Sequence, residues 1–154
     1  MSLPARSTIV LLGDVVDHVT NVTSSEACHV KVGVLSDGVT SLAASQGLGD
    51  LGTVTVLPGQ TGSGDEGTAM LEIIHDLAPG AQLYFATAFT SITSFAANIN
   101  ALRAAGCDII VDDVGYYVES AFQDGQTGAV VSPTNGGIVT QAVKDVTAAG
   151  ALYF

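Results

Sequence analysis

Short apolar runs rich in β-branched residues alternate along the chain with longer segments whose apolar side chains recur every three or four positions. The short runs predict strands over residues 30–35, 53–57, 82–88, 108–111 and 151–154. The longer segments predict helices over about 66–77, 91–105 and 138–149. This alternation predicts an α/β fold, a parallel β-sheet with helices on both faces and right-handed crossovers.

Two of the predicted helices have a clear apolar stripe. In the helix over 66–77, the side chains expected to face the core are Met70, Ile73, Ile74 and Leu77. In the helix over 91–105, they are Ile92, Phe95, Ile99 and Leu102. Each stripe has the spacing of one face of an α-helix, so we expect both helices to pack against the sheet.

Acidic residues follow two of the predicted strands. Asp37 comes directly after the first strand, Asp112 and Asp113 follow the fourth, and Glu66 begins a helix. Ligands and chemistry gather at the carboxyl ends of parallel strands, so we expect these residues to share one edge of the sheet. The polar, glycine-containing stretch 116–137 is long for a loop, which also indicates a functional role.

The net charge of the chain excludes some classes of binding partner. Fifteen acidic residues against four basic ones give a net charge of −11 and a pI near 4.1. Nucleic acids and anionic membranes require clustered Lys and Arg, so neither is an expected partner. No apolar run approaches the roughly 20 residues of a membrane span. The composition suits a secreted protein, or one that works in acid, although no signal peptide opens this sequence.

The two cysteines, Cys28 and Cys107, are too few for a disulfide scaffold. They are either two buried free thiols or one bridge formed in an oxidising compartment. No CxxC motif or His/Cys cluster indicates zinc, and no cofactor is expected.

Several segments resemble subtilisin-like peptidases in order and spacing. Residues 30–39 resemble the first core strand of that family, which ends with the catalytic aspartate before a glycine. Residues 66–70 (Glu-Gly-Thr-Ala-Met) resemble its His-Gly-Thr helix start, with Glu in place of His, and residues 78–81 match its Ala-Pro-Gly-Ala segment. Residues 108–115 resemble the strand and loop that line the substrate cleft, and residues 150–154 resemble the strand before the oxyanion-hole residue.

Glutamate at the histidine position is the hallmark of sedolisins, the serine-carboxyl peptidases that share the subtilisin fold. Their glutamate lies twelve residues before the Ala-Pro-Gly-Ala segment, as Glu66 does before Ala78. Two positions depart from the pattern. Met70 stands where sedolisins have an aspartate, and Ser36 takes the usual place of the strand-end acid, with Asp37 one residue later. The chain is therefore interpreted as a divergent branch between the two families.

The resemblance implies a three-layer subtilisin-like fold, truncated after the fifth core strand, with residues 1–29 as an N-terminal extension and 30–154 as a partial peptidase domain. It implies a secreted serine endopeptidase acting on polypeptides, with Glu66 as general base, Asp37 as its orienting acid and Asp113 as a third acid at the cleft. The serine nucleophile and the oxyanion-hole residue would follow this sequence, so the chain alone is expected to be inactive. Carboxylate chemistry predicts an acidic pH optimum.

The resemblance also bears on the cysteines and on association between copies. First and fourth core strands are neighbours in subtilisin-like sheets, which would bring Cys28 and Cys107 within reach of a disulfide. An unfinished sheet edge at the end of the chain would allow self-association.

Simpler interpretations of these residues remain open. Ser63-x-x-Glu66 fits a capping box, in which Glu66 only satisfies a backbone amide. Asp37 fits a turn acid, and Asp112 and Asp113 fit a solvated loop. His75, nine residues past Glu66 and so about 13 Å along a helix, fits a residue that complements the helix C-terminus.

Two functions of other classes also remain. One is a non-catalytic binding or scaffold module with a degenerate peptidase fold. The other is a Mg²⁺-dependent receiver-like domain that uses Asp37 and Asp113, although its expected strand-end lysine would have to be Lys144, which is predicted in a helix.

Overall fold

The computed structural model of the protein describes residues 30–116 and 137–154. The predicted extension over 1–29, with Cys28, lies outside the described residues, as does most of the loop predicted over 116–137. The strands are β1 Lys31–Ser36, β2 Val54–Val56, β3 Gln82–Thr87, β4 Ile109–Asp112 and β5 Leu152–Tyr153. The helices are α1 Leu42–Leu48, α2 Glu66–Leu77, α3 Ile92–Ala104 and α4 Ile138–Ala148.

The five strands form one parallel sheet in the order β2-β3-β1-β4-β5. The predicted α/β class is confirmed, and each predicted strand lies within one or two residues of its position in the structure. β1 and β4 are adjacent and parallel, with Leu35 opposite Asp112. This register brings the carboxyl ends of β1 and β4 to the same level of one edge.

Helices cover both faces of the sheet, which gives the predicted three layers. Successive side chains of a strand point to opposite faces, and in β1 the buried Val34 and Leu35 belong to different cores. Val34 packs with Leu71 of α2. Leu35 packs with Ile99 of α3 and with residues of α4. Burial of apolar surface on both faces therefore holds the sheet in the interior.

The helix α2 packs on the sheet through part of the expected stripe, because Met70 and Ile74 pack against the core while Ile73 and Leu77 do not. Ile73 and Leu77 are 53% and 44% exposed, while Leu71 is fully buried. The reason is Gly67, since a Cβ there would lie 2.5 Å from Cε2 of Phe85 and 2.6 Å from the carbonyl oxygen of Gly38. The close approach at this glycine turns the helix and carries part of the expected stripe to the surface.

Of the other three helices, α3 and α4 lie within one residue of their predicted ends, and α1 was not predicted. Phe95, Ile99 and Leu102 of α3 are buried as expected. The helix α1 was not predicted, because its sequence Leu-Ala-Ala-Ser-Gln-Gly-Leu has no apolar stripe. It is joined to α2 by a hydrogen bond of 2.6 Å from Ser45 Oγ to Glu72 Oε1.

Cys107 is a buried free thiol. This agrees with the interpretation of the cysteines as free thiols for Cys107, the one cysteine among the described residues. Burial raises its pKa to about 12, so the thiol stays protonated and behaves as a small apolar group. It packs closely against β1, since a Cβ at Gly33 would lie 3.1 Å from its Sγ. Among the described residues, no helix has the length and apolarity needed to cross a membrane.

The substitution Gly67→Ala tests the packing of α2. The added methyl has no room against Phe85 and the Gly38 carbonyl, so we expect the free energy of unfolding to fall by about 1–3 kcal/mol. Gly47→Ala in α1 is the matched control, because a Cβ there meets no atom within 4 Å and alanine favours helix by about 1 kcal/mol. Urea denaturation of both variants makes the comparison, and a Gly67→Ala protein as stable as Gly47→Ala would contradict the packing.

Candidate functional site

Three carboxylate residues meet where β1 and β4 end and α2 begins. Asp37 directly follows β1, Asp113 directly follows β4, and Glu66 is the first residue of α2. The parallel pairing of β1 with β4 makes the first two neighbours. The loop before α2 is attached to the end of β1 through the bridge between Gly38 and Gly62. The edge predicted from the sequence therefore does collect the three predicted site residues.

Glu66 is paired with Asp113. The charge of Asp113 raises the pKa of Glu66, a hydrogen bond between the two side chains raises it further, and desolvation and the charge of Asp37 add smaller effects in the same direction. A hydrogen bond between two carboxyl groups needs one proton between them. Glu66 therefore holds its proton beside Asp113, on an exposed surface that a substrate could reach.

Asp37 makes a different set of contacts from the one expected. Its Oδ1 accepts hydrogen bonds from the backbone N–H of Gly67 at 3.2 Å and of Gly38 at 2.5 Å. Its carbonyl oxygen accepts from the N–H of Ser63 at 3.1 Å and from Oγ1 of Thr87 at 2.9 Å. Asp37 therefore caps the N-terminus of α2 from a distant part of the chain. It acts on Glu66 through its charge, while the hydrogen-bond partner of Glu66 is Asp113.

Glycine is required where the loop before α2 passes Asp37. Gly64 has φ +119, and a Cβ there would lie 1.8 Å from Oδ2 of Asp37. A side chain would therefore meet both a disfavoured backbone conformation and a direct clash. The loop can approach the carboxylate only because this position has no side chain.

The capping-box interpretation of Glu66 is wrong in the structure. A capping box places the glutamate at the third helical position, with Ser as N-cap. The N-cap is instead Asp65, and Glu66 is the first helical residue. The carboxylate of Asp65 accepts from the backbone N–H and Oγ of Ser41, at 2.6 and 3.0 Å. Glu66 is thus left free of a capping role.

Asp112 points away from the pair formed by Glu66 and Asp113. Its Oδ1 accepts from the backbone N–H of Val114 at 2.9 Å, and its Oδ2 accepts from the hydroxyl of Tyr153. Burial raises the pKa of Asp112, while these two hydrogen bonds act in the opposite direction. The bond to Tyr153 could not be predicted, because the two residues are far apart in the chain and polar partners across a sheet have no periodic signature.

Ser36 stands where the resemblance to subtilisin-like peptidases and sedolisins would place the strand-end acid. Its side chain is fully buried, and its Oγ has no hydrogen-bond partner among the described residues. A carboxylate in its place would be buried at the end of β1. The acid one residue later, Asp37, reaches the start of α2 instead.

The remaining candidates lie away from the carboxylates. His75 is in the last turn of α2, as predicted, and lines a shallow cleft of about 270 Å³ with Thr53 and Gln82 at the amino-terminal end of the sheet. The ring of Tyr116 packs 5.7 Å from that of Phe95, and its hydroxyl donates to the Ala88 carbonyl.

The chemistry of this site is that of a carboxyl pair able to hold and release one proton. Within residues 30–116 and 137–154, no group of three or more His, Cys, Asp or Glu side chains is arranged to hold a metal ion. Lys144 lies in α4 rather than at the end of a strand.

The raised pKa of Glu66 predicts how stability changes with pH. The folded protein holds this proton more tightly than the unfolded chain, whose Glu titrates near 4.5. The contribution to stability is therefore full below pH 4.5 and is lost as the pH rises through the folded pKa. We expect wild type to lose stability relative to Glu66→Gln over that range.

Urea denaturation of the two proteins at several pH values between 3 and 7 measures the difference. Groups that do not interact with Glu66 cancel in the comparison, because both proteins contain them. Asp113→Asn should change the pH dependence in the same direction as Glu66→Gln. Parallel stability curves for wild type and Glu66→Gln would show that Glu66 holds no extra proton.

Comparison with known proteins leaves the site to be interpreted from its own chemistry. No protein-family model matches the chain, and no curated protein is significantly similar to it. The resemblance to subtilisin-like peptidases and sedolisins therefore stays a hypothesis, carried by the sequence around Asp37, Glu66 and Ala78.

Proposed function

We propose that the chain is the N-terminal part of the catalytic domain of a secreted, sedolisin-like serine peptidase, with Glu66 as the general base. One observation carries the proposal: Glu66 is hydrogen-bonded to Asp113 at the carboxyl edge of a parallel sheet, with the charge of Asp37 close by. This edge is where α/β proteins place their chemistry. The serine nucleophile and the oxyanion-hole residue would come from residues that follow this sequence.

The pair suits proton transfer to and from a serine. A serine nucleophile needs a base within hydrogen-bond reach, and the base needs a third group to orient it. In this proposal Glu66 takes the proton of the serine hydroxyl during attack on the peptide carbonyl, and returns it to the leaving amine. Asp113 orients Glu66 through their hydrogen bond, a role that the sequence suggested for Asp37.

The raised pKa of Glu66 is favourable for this role. A glutamate with an ordinary pKa is a weak base, and proximity to Asp113 and Asp37 strengthens it. The same proximity keeps a proton on the pair at low pH, ready for the leaving group. The proposal therefore implies activity in weak acid, declining in strong acid where the base is fully protonated.

Asp37 has a supporting role in the proposal. Its hydrogen bond to the Gly67 N–H fixes the start of α2, and so the position of Glu66 one residue earlier. The predicted polypeptide substrate would approach over the exposed carboxylates of Glu66 and Asp113. Self-association remains a proposal for the edge of the sheet formed by β5.

The proposal is tested in the protein that contains this chain together with the segment that follows it in the gene. Peptide hydrolysis is measured from pH 3 to pH 8 for wild type and for Glu66→Gln. Loss of a general base should lower kcat on the order of 10²–10⁴-fold, with the wild-type optimum below pH 7.

The matched control for that assay is Asp76→Asn, which removes an acid from the same helix about 15 Å away and should leave kcat unchanged. Labelling with a fluorophosphonate identifies the serine. Full activity in Glu66→Gln, or an alkaline optimum, would contradict the proposal. A protein that neither labels nor hydrolyses peptides at any pH would instead be the binding or scaffold module.

A further inference from the structure

The structure assigns Asp112 and Tyr153 a positioning role: together they hold Asp113 in the orientation in which its carboxylate meets Glu66. The functional value of this role rests on the proposed function, whereas the contacts themselves do not. Neither residue touches Glu66, so each would act through Asp113.

The backbone on both sides of Asp113 is fixed by the carboxylate of Asp112. Oδ1 of Asp112 accepts from the N–H of Val114 at 2.9 Å. An aspartate that bonds the backbone two residues onward closes an Asx turn, and such a turn sets the conformation of the residue between. That residue is Asp113. The turn therefore determines the direction in which the Asp113 side chain points from the backbone.

Tyr153 anchors the turn to the body of the sheet. Its hydroxyl donates to Oδ2 of Asp112, so both oxygens of that carboxylate are engaged at the same time. Burial raises the pKa of Tyr153, which keeps the hydroxyl protonated and able to donate throughout the pH range of the protein. The donor of this hydrogen bond is thus held in one protonation state.

Tyr153 is itself held by the sheet. It lies opposite Ile110 in the pairing of β4 with β5, and the N–H of Asp112 donates to the Phe154 carbonyl at 3.1 Å. The ring packs against the core between the sheet and α3 and α4. The chain of contacts therefore runs from the edge strand β5 through Asp112 to the exposed pair.

The two neighbouring aspartates have different tasks because strand alternation separates them. Asp112 points into the face covered by α3 and α4, where it is partly buried and bonded to Tyr153. Asp113 points to the side of α2, where it meets Glu66. A residue bonded on one face thus supports the residue that meets Glu66 on the other.

The test is the titration of the Glu66 side-chain carboxyl carbon by NMR in this chain, in wild type and in Tyr153→Phe. The substitution removes one hydroxyl and no carboxyl group. We expect the Glu66 midpoint, above 4.5 in wild type, to move back towards 4.5, with desolvation and the charge of Asp37 as the remaining causes of a raised value.

Tyr84→Phe makes the same chemical change on β3 and should leave the midpoint at its wild-type value. Asp112→Asn is the second variant if Tyr153→Phe does not fold, and we expect the same direction of change. A well-folded Tyr153→Phe or Asp112→Asn protein with the wild-type Glu66 midpoint would overturn the positioning role. A Glu66 that titrates at 4.5 in wild type would instead remove the pair, and with it the proposed function.

Discussion

The contact on which the site depends is the hydrogen bond that the backbone N–H of Gly67 donates to the Asp37 carboxylate. It joins the end of the central strand β1 to the first turn of α2. These two elements are separated in the sequence by α1 and β2. A helix N-terminus has unpaired amides and a partial positive charge, so a carboxylate there is stabilising. The missing side chains at Gly64 and Gly67 make this approach possible. The position of Glu66 follows from these constraints.

The same geometry brings the carboxyl groups of Glu66 and Asp113 together, and a proton on Glu66 relieves the repulsion between them. Once α2 begins beside Asp37, its first side chain lies near the end of β4, where Asp113 is the next residue. A neighbouring negative charge disfavours ionisation, so the charge of Asp113 raises the pKa of Glu66. The arrangement is unfavourable for stability near neutral pH. Perturbed acids of this kind are typical of functional sites, which supports a functional role for the cluster.

The sheet and the shared edge could be predicted because they depend on local patterns, namely β-branched runs, helical spacing and acids at strand ends. The packing face of α2 could be predicted only in part, because the contact between Gly67 and Phe85 decides it together with the apolar stripe. The sequence favoured Asp37 as the partner of Glu66. In the structure one oxygen of Asp37, Oδ1, accepts from backbone amides, and only the tertiary structure brings Asp113 to Glu66.

The central claim is that Glu66 and Asp113 share a proton, and titration of the Glu66 carboxyl carbon in wild type and in Asp113→Asn tests it most directly. The account predicts a midpoint above 4.5 in wild type and a clear fall towards 4.5 when Asp113 loses its charge. A wild-type midpoint at or below 4.5, or one that Asp113→Asn leaves unchanged, would contradict it.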